Sequence, residues 1–239
     1  MKVLFSDYDG TIKTFDKYAN YFEKRTFKKN IDAIDKFLGN GNKFIITTKR
    51  NTYSILEELE KYKINYSYLT TYNGRVTLDS KNNIITKKEI HKELLKEIKS
   101  ILENTDLITK IKAFDEHTIT KEIENLIILY LYSDNIEKLH ELIRQIARYY
   151  ADIKVEGCFA PKRIKLNIEY TKKDGAKELI DLFNWNENDV YSVGNGPNDY
   201  ELLKKYNGFK IESSHYYDDL ENLKITPNVY KLIKKINNI

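Results

Sequence analysis

Cysteine occurs once in this chain of 239 residues, at Cys158, so there is no internal disulfide, and no cysteine–histidine zinc cluster can be assembled. Proline occurs three times and glycine nine, too sparsely for a collagen-like, Pro-rich or linker-dominated architecture. No run approaches the ~18–20 apolar residues that cross a bilayer, and the opening Met1-Lys2-Val3-Leu4-Phe5 is too short an apolar stretch for a signal peptide. The expectation is a cytoplasmic protein without a membrane partner. Arginine is scarce too, and 40 basic side chains are nearly matched by 36 acidic ones. The two signs are interspersed, as in Glu57-Glu58-Leu59-Glu60-Lys61, so no nucleic-acid partner is indicated.

What is present is enough to fold. Hydrophobic residues make up 41% of the chain, which separates it from disordered sequences. The length lies between one domain and two. Lys2 to Ser6 is a short apolar run that stops at Asp7-Tyr8-Asp9-Gly10-Thr11, as a buried strand does when it ends in a turn. Asn30 is placed to cap a helix through Ile31, Ile34, Phe37 and Leu38. Phe44-Ile45-Ile46 then reads as a second strand, ending in Thr47-Thr48-Lys49-Arg50, and Ile55, Leu56, Leu59 and Tyr62 as a second helix. Strands alternating with helices imply parallel strands with crossover connections. Tyr66 to Thr71 leads into Asn73-Gly74, a dipeptide suited to starting a hairpin.

From about Lys88 the order changes to helix, two strands, helix and two strands, an αββαββ block characteristic of a small α+β unit. The parallel pattern returns with a helix over Gly175 to Phe183 and the strand Val190 to Val193, which ends at Gly194-Asn195-Gly196-Pro197-Asn198-Asp199. A helix from Tyr200, a short strand at Phe209 to Ile211 and an amphipathic helix from Val229 complete the chain. The fold class expected is α/β, a Rossmann-like parallel-sheet core over residues 1–80 and 170–239 with an α+β cap inserted over residues 81–169.

Ligands of open parallel sheets sit beyond the carboxyl ends of the strands. Asp7 and Asp9 stand there two residues apart and can direct both carboxyl groups into one crevice, although an Asp-x-Asp-Gly-Thr turn is also ordinary loop chemistry. Carboxylates held close together repel, and a hard oxygen-ligated cation such as Mg²⁺ is the natural counter-ion. Asn195 and Asp199 offer further oxygens from another strand end. Lys173 could neutralise an oxyanion and Thr48 could donate a hydroxyl to it, although taken singly each fits an ordinary surface position far better, since lysines and threonines abound in loops.

Taken together and in this order, these segments resemble the haloacid dehalogenase-like hydrolase superfamily, and within it the Cof-type phosphatases. Asp7-Tyr8-Asp9-Gly10-Thr11 resembles the first motif and Thr48-Lys49-Arg50 the second. Asn73-Gly74 is similar to the family's Asn-Gly turn, Lys173-Asp174-Gly175-Ala176 to the third motif, and Gly194 to Leu203 to the fourth. The resemblance implies a phosphatase acting on a small phosphorylated metabolite, most plausibly a sugar phosphate. Asp7 would be the nucleophile and Asp9 the acid and base. Mg²⁺ would lie against the Asp7 carboxylate, the Asp9 carbonyl and the fourth-motif side chains Asn195 and Asp199. Thr48, Lys173 and Asn198 would hold phosphoryl oxygens, with Tyr8 and Lys49 bordering the same site. Asp9 favours phosphoryl transfer over dehalogenation, since dehalogenases of the superfamily lack an acid at that position.

Two departures stand out. Asn195 occupies the position where the family usually has a metal-binding Asp, and Asp199 is close enough in sequence to compensate. Lys49 replaces the glycine of the second motif. Trehalose-phosphate phosphatase-like and phosphomannomutase-like members are the nearest enzymatic alternatives. A non-catalytic protein that binds a phosphorylated ligand is the alternative of another class.

Overall fold

A computed structural model describes residues 1–15, 22–89, 96, 100, 106, 110–114, 119–120, 128–149, 153–156, 163–168, 170–212 and 223–237. It divides the chain into two units, Met1–Lys87 with Thr171–Ile239, and Lys88–Tyr170.

The first unit is built on an eight-stranded sheet. Its strands are β1 (Val3–Ser6), β2 (Lys43–Thr47), β3 (Tyr68–Thr71), β4 (Val76–Asp79), β5 (Ile84–Lys87), β11 (Val190–Gly194), β12 (Gly208–Ile211) and β13 (Lys224–Thr226). The spatial order is β13-β12-β11-β1-β2-β3-β4-β5. All neighbours from β13 to β3 are parallel, and β4 and β5 close the far edge as antiparallel strands. The division between units falls after Lys87, not near residue 80, because β5 pairs with β4.

The central strands β1, β2 and β11 are buried on both faces, which is why they read as near-continuous apolar runs without alternation. Val3, Phe5 and Ile45 pack on one face against Ala176, Leu179 and Ile180 of α4 (Lys172–Leu182) and Leu202 of α5 (Tyr200–Lys205). Leu4, Phe44 and Ile46, whose side chains alternate to the other face, are also fully buried. Burying each such side chain is worth roughly 1.5–3 kcal/mol. On that second face α1 (Lys24–Gly39) lies against β2 and against α6 (Val229–Asn237).

Asn30 does not cap α1 as expected. The helix begins at Lys24, and the fully buried Asn30 side chain donates to the Ile12 carbonyl at 2.9 Å and accepts from the Tyr230 amide at 3.0 Å. One carboxamide thereby ties the loop after β1 to both helices. The second strand–helix crossover runs through α2 (Thr52–Tyr62), whose Asn51 cap accepts from Ser54 N at 2.7 Å.

The second unit contains a five-stranded antiparallel sheet. Its strands are β6 (Lys110–Phe114), β7 (Ile119–Thr120), β8 (Ile128–Tyr132), β9 (Ile153–Glu156) and β10 (Arg163–Ile168), in the order β7-β6-β8-β10-β9. Helix α3 (Ile136–Tyr149) packs against β9 and β10. The helix that opens the αββαββ block in the sequence, over residues 90–102, lies mostly outside the described residues, as does Cys158. No helix among the described residues is long and apolar enough to cross a membrane.

Candidate active site

Strand order reverses direction of growth at the centre of the large sheet, with β2 and β3 added on one side of β1 and β11 and β12 on the other. The crevice at such a switch point, beyond the carboxyl ends of the strands, is where α/β proteins hold ligands. Four chain segments converge there.

Asp7 follows β1 directly, and its amide extends the ladder by donating to the Val193 carbonyl at 2.9 Å. The carboxylate is almost entirely buried. Lys172, at the first turn of α4, donates from Nζ to Asp7 Oδ1 at 2.5 Å and to Asp199 Oδ1 at 2.6 Å, and is itself 0% exposed. The other oxygen of Asp199 accepts from the backbone amides of Asn195 at 3.0 Å and Gly196 at 2.9 Å. Thr11 Oγ1 reaches Asp7 Oδ2 at 3.3 Å. Burial, the largest cause, pushes Asp7 up to about 7; the Lys172 ammonium opposes this, and the charges of Asp199 and Asp9 add to it. Burial alone would lower the Lys172 ammonium, but Asp199 and Asp7 outweigh it and hold it above its ordinary value.

The resemblance places this ammonium at Lys173, and the geometry corrects it to Lys172. Lys173 is about one-third exposed, and its nearest carboxylate is Asp174 at 3.8 Å. A helical-periodicity signal was present. Thr171 and Asp174 form a capping box that fixes Thr171 as the N-cap of α4. Residue 172 then falls on the same face as the buried Ala176, Leu179 and Ile180, whereas 173 falls with the exposed 177.

The helix carrying Lys172 is seated by a glycine pair. Gly74 has φ +103°, a conformation costly for other residues. A Cβ on Gly175 would stand 2.6 Å from the Gly74 carbonyl oxygen, and one on Gly74 2.5 Å from that of Thr171. The Asn73-Gly74 turn that opens the β3–β4 hairpin is thus also the cradle for the start of α4.

Asp9 is held differently. Arg50 grips it in a bidentate pair, Nε to Oδ2 at 2.7 Å and Nη2 to Oδ1 at 2.6 Å, and the Asp9 side chain remains 41% exposed. Behind Arg50, Glu58 of α2 accepts from the Tyr8 hydroxyl at 2.8 Å and from Lys13 Nζ at 2.8 and 2.9 Å, with Arg50 Nη1 3.8 Å away. The sequence places Tyr8 at the border of the phosphate site; in the structure its hydroxyl is instead committed to this buttress. Burial comes first in raising its hydroxyl above the ordinary range, followed by the bond to Glu58. No local signal marks Arg50 and Glu58 as site residues, because Asp9 and Tyr8, which they hold, lie 41 and 50 positions away in sequence.

Thr48 ends the strand extension of β2. Its amide donates to Thr70 O at 2.9 Å, its carbonyl accepts from Asn73 N at 3.0 Å, and its hydroxyl accepts from Arg50 N at 3.1 Å. That hydroxyl retains a proton to donate. Lys49 is exposed and Asn198 half-buried on the loop after β11.

Asn195 stands between the Asp7 and Asp9 segments. The inward atom of its carboxamide lies 2.9 Å from the Asp9 carbonyl oxygen, 3.1 Å from Asp7 Oδ2 and 3.1 Å from Thr11 Oγ1. Adjacent oxygens in an octahedral Mg²⁺ shell stand about 3.0 Å apart, so these three groups fit a small hard cation. Asp199, with one oxygen on Lys172 and the other on two amides, anchors the lysine and does not serve as the compensating ligand expected. Among the described residues no three His, Cys, Asp or Glu side chains are gathered for a metal; the donor set here is one carboxylate, one carbonyl and one carboxamide.

A buried carboxylate at the switch point of a parallel sheet, a second acid two residues on and a buried lysine from α4 thus lie together in one crevice. The family model for haloacid dehalogenase-like hydrolases matches residues 4–122 and 108–215, and the chain belongs to that family. Among solved structures, it is similar to the HAD subclass IIB sugar phosphatase BT4131, with 18% identity, TM-score 0.71 and 100% of both chains covered. It is similar also to the phosphatase BT1666 from Bacteroides thetaiotaomicron, with 17% identity, TM-score 0.73 and 100% of this chain and 94% of that one covered. A HAD/COF-like hydrolase from Plasmodium vivax has 18% identity, TM-score 0.74 and coverage of 100% and 96%. Among curated proteins none matches the sequence.

Proposed function

We propose that the protein is a phosphatase of small phosphorylated metabolites, with a sugar phosphate as the substrate class, working through a phosphorylated Asp7. The observation that carries this is the division of labour at one strand end: Asp7 buried against Lys172 at 2.5 Å, and Asp9 exposed and aligned by Arg50. The sugar-phosphatase structures it resembles support the substrate class.

Asp7 attacks phosphorus, forming the Asp7 O–P bond as the ester P–O bond breaks. The leaving oxygen takes its proton from Asp9, which must exchange one Arg50 hydrogen bond for the substrate to do so. Water then gives a proton to Asp9 and attacks phosphorus, and the Asp7 O–P bond breaks to release phosphate. Lys172, the Thr48 hydroxyl and the Asn198 amide supply donors to the phosphoryl oxygens, with exposed Lys49 drawing the anion in. Mg²⁺ held by Asp7, the Asp9 carbonyl and Asn195 would offset charge on the transferring group. Residues 88–170 would act as a cap that selects the substrate.

Hydrolysis of p-nitrophenyl phosphate with added Mg²⁺ tests the reading. Turnover abolished by Asp7→Asn is expected, followed by selectivity within a panel of sugar phosphates, nucleotides and pyridoxal phosphate. Wild-type protein that binds phosphate esters without turnover would instead make it a phospho-ligand-binding member of the family, a reading that the missing carboxylate at Asn195 favours.

A further inference from the structure

We propose that Asn195 is a reversible occupant of its own cation site, turning its carboxamide over as the cation arrives. The inward position of the amide tip admits two chemistries. With nitrogen inward, the group donates to the Asp9 carbonyl at 2.9 Å and to Asp7 Oδ2 and Thr11 Oγ1, both at 3.1 Å. With oxygen inward it accepts from Thr11 Oγ1 at 3.1 Å and faces the Asp9 and Asp7 oxygens, an arrangement of acceptors that only a cation between them satisfies.

The two forms differ by a half-turn of the amide, and without a cation the nitrogen-inward form is the one that satisfies both ends of the group. The outer end of the carboxamide lies over Gly10, where a Cβ would come within 2.1 Å of it, so the missing side chain makes the space in which the amide sits. A carboxylate at this position, the residue type the family motif usually has, could only accept. It would leave the cation-free cluster with one more negative charge beside Asp7 and Asp199, and with no donor for the Asp9 carbonyl. Asn195 thus supplies an internal substitute for the cation's contacts, and each cation that binds must displace those hydrogen bonds.

The cation-free state is consequently more stable, and the cation weaker, than with an aspartate. Only the cation's purpose rests on the phosphatase reading; the amide's behaviour is measurable without turnover. The first probe is Mg²⁺ alone, titrated into ¹⁵N-labelled protein while the Asn195 side-chain NH₂ resonance, assigned by its loss in Asn195→Ala, is followed. In the cation-free protein that resonance should be protected from solvent exchange, and Mg²⁺ should move it and release the protection. In parallel, Asn195→Asp should bind Mg²⁺ roughly 10- to 100-fold more tightly by calorimetry, within the range commanded by ligand-orienting groups. Its melting temperature without cation should fall below wild type. An Asn195 amide that exchanges freely in cation-free protein, or that Mg²⁺ binding leaves unmoved, overturns the proposal; so does an Asn195→Asp protein with unchanged affinity. Failure of turnover with the amide behaviour intact would count against the phosphatase reading alone.

Discussion

Two acids separated by a single residue sit in opposite surroundings. Asp7 is buried with Lys172 and Asp199, a cluster in which every charged atom already has a partner within 3.3 Å. Asp9 faces the open side of the crevice, paired with an arginine that is itself partly exposed. A buried pair is rigid and expensive to disturb, which suits the nucleophile of the proposed reaction. A half-exposed pair can be remade at small cost, as suits the acid and base of that proposal. The contrast shows how one short turn places both behaviours side by side: β1 ends at Ser6, so the next residue remains in the sheet's interior while the one after Tyr8 has left it.

The sharpest break falls on the buried side. Lys172→Met leaves two carboxylates without their ammonium, and urea unfolding should show a loss of about 3–5 kcal/mol, with activity abolished. Lys173→Met should change stability by no more than about 0.5 kcal/mol and keep activity. On the exposed side, Arg50→Ala should cost less than about 1 kcal/mol of stability. Its kcat on alkyl phosphates should nevertheless drop roughly 10²–10⁴-fold as Asp9 loses its alignment, with a smaller drop on p-nitrophenyl phosphate, whose leaving group needs little protonation.

The smallest effect concerns Glu58. Burial opposes its ionisation, but the bonds from Lys13 and Tyr8 and the charges of Lys13 and Arg50 prevail, so its folded value lies below the ordinary 4.5. A lowered carboxylate contributes stability that is full above the unfolded value and lost as pH falls through the folded one. Glu58→Gln should therefore lower the melting temperature slightly at pH 7 and flatten its decline below about pH 4.5. An unchanged acid limb in that variant would mean the buttress behind Arg50 is not formed.

Much of this arrangement can be read in the residues themselves. Val3-Leu4-Phe5, Phe44-Ile45-Ile46 and Val190 to Val193 mark strands buried on both faces, and each ends in a polar loop that enters the site. The spacing of Asp7 and Asp9 is local, so their convergence follows from one turn. Lys172 was also legible, through the capping box and the period of α4, but the motif resemblance drew the assignment one residue too far. The rest depends on tertiary contacts without a local signature. Asn30 looks like a helix cap until the loop after β1 and α6 are brought to it. The Arg50–Glu58–Tyr8 buttress joins three segments, and β13 at three residues is too short to show any period.

The division of labour between the two acids is decided by acid-quenched mass spectrometry of Asp9→Asn protein after exposure to p-nitrophenyl phosphate and Mg²⁺. A phenolate departs without a proton donor, whereas water attack on the phosphorylated carboxylate needs the base that this variant lacks. Phosphate should therefore accumulate on the peptide containing Asp7. Unphosphorylated protein that turns over at the wild-type rate would show that Asp7 is not the covalent centre and that Asp9 is not its base.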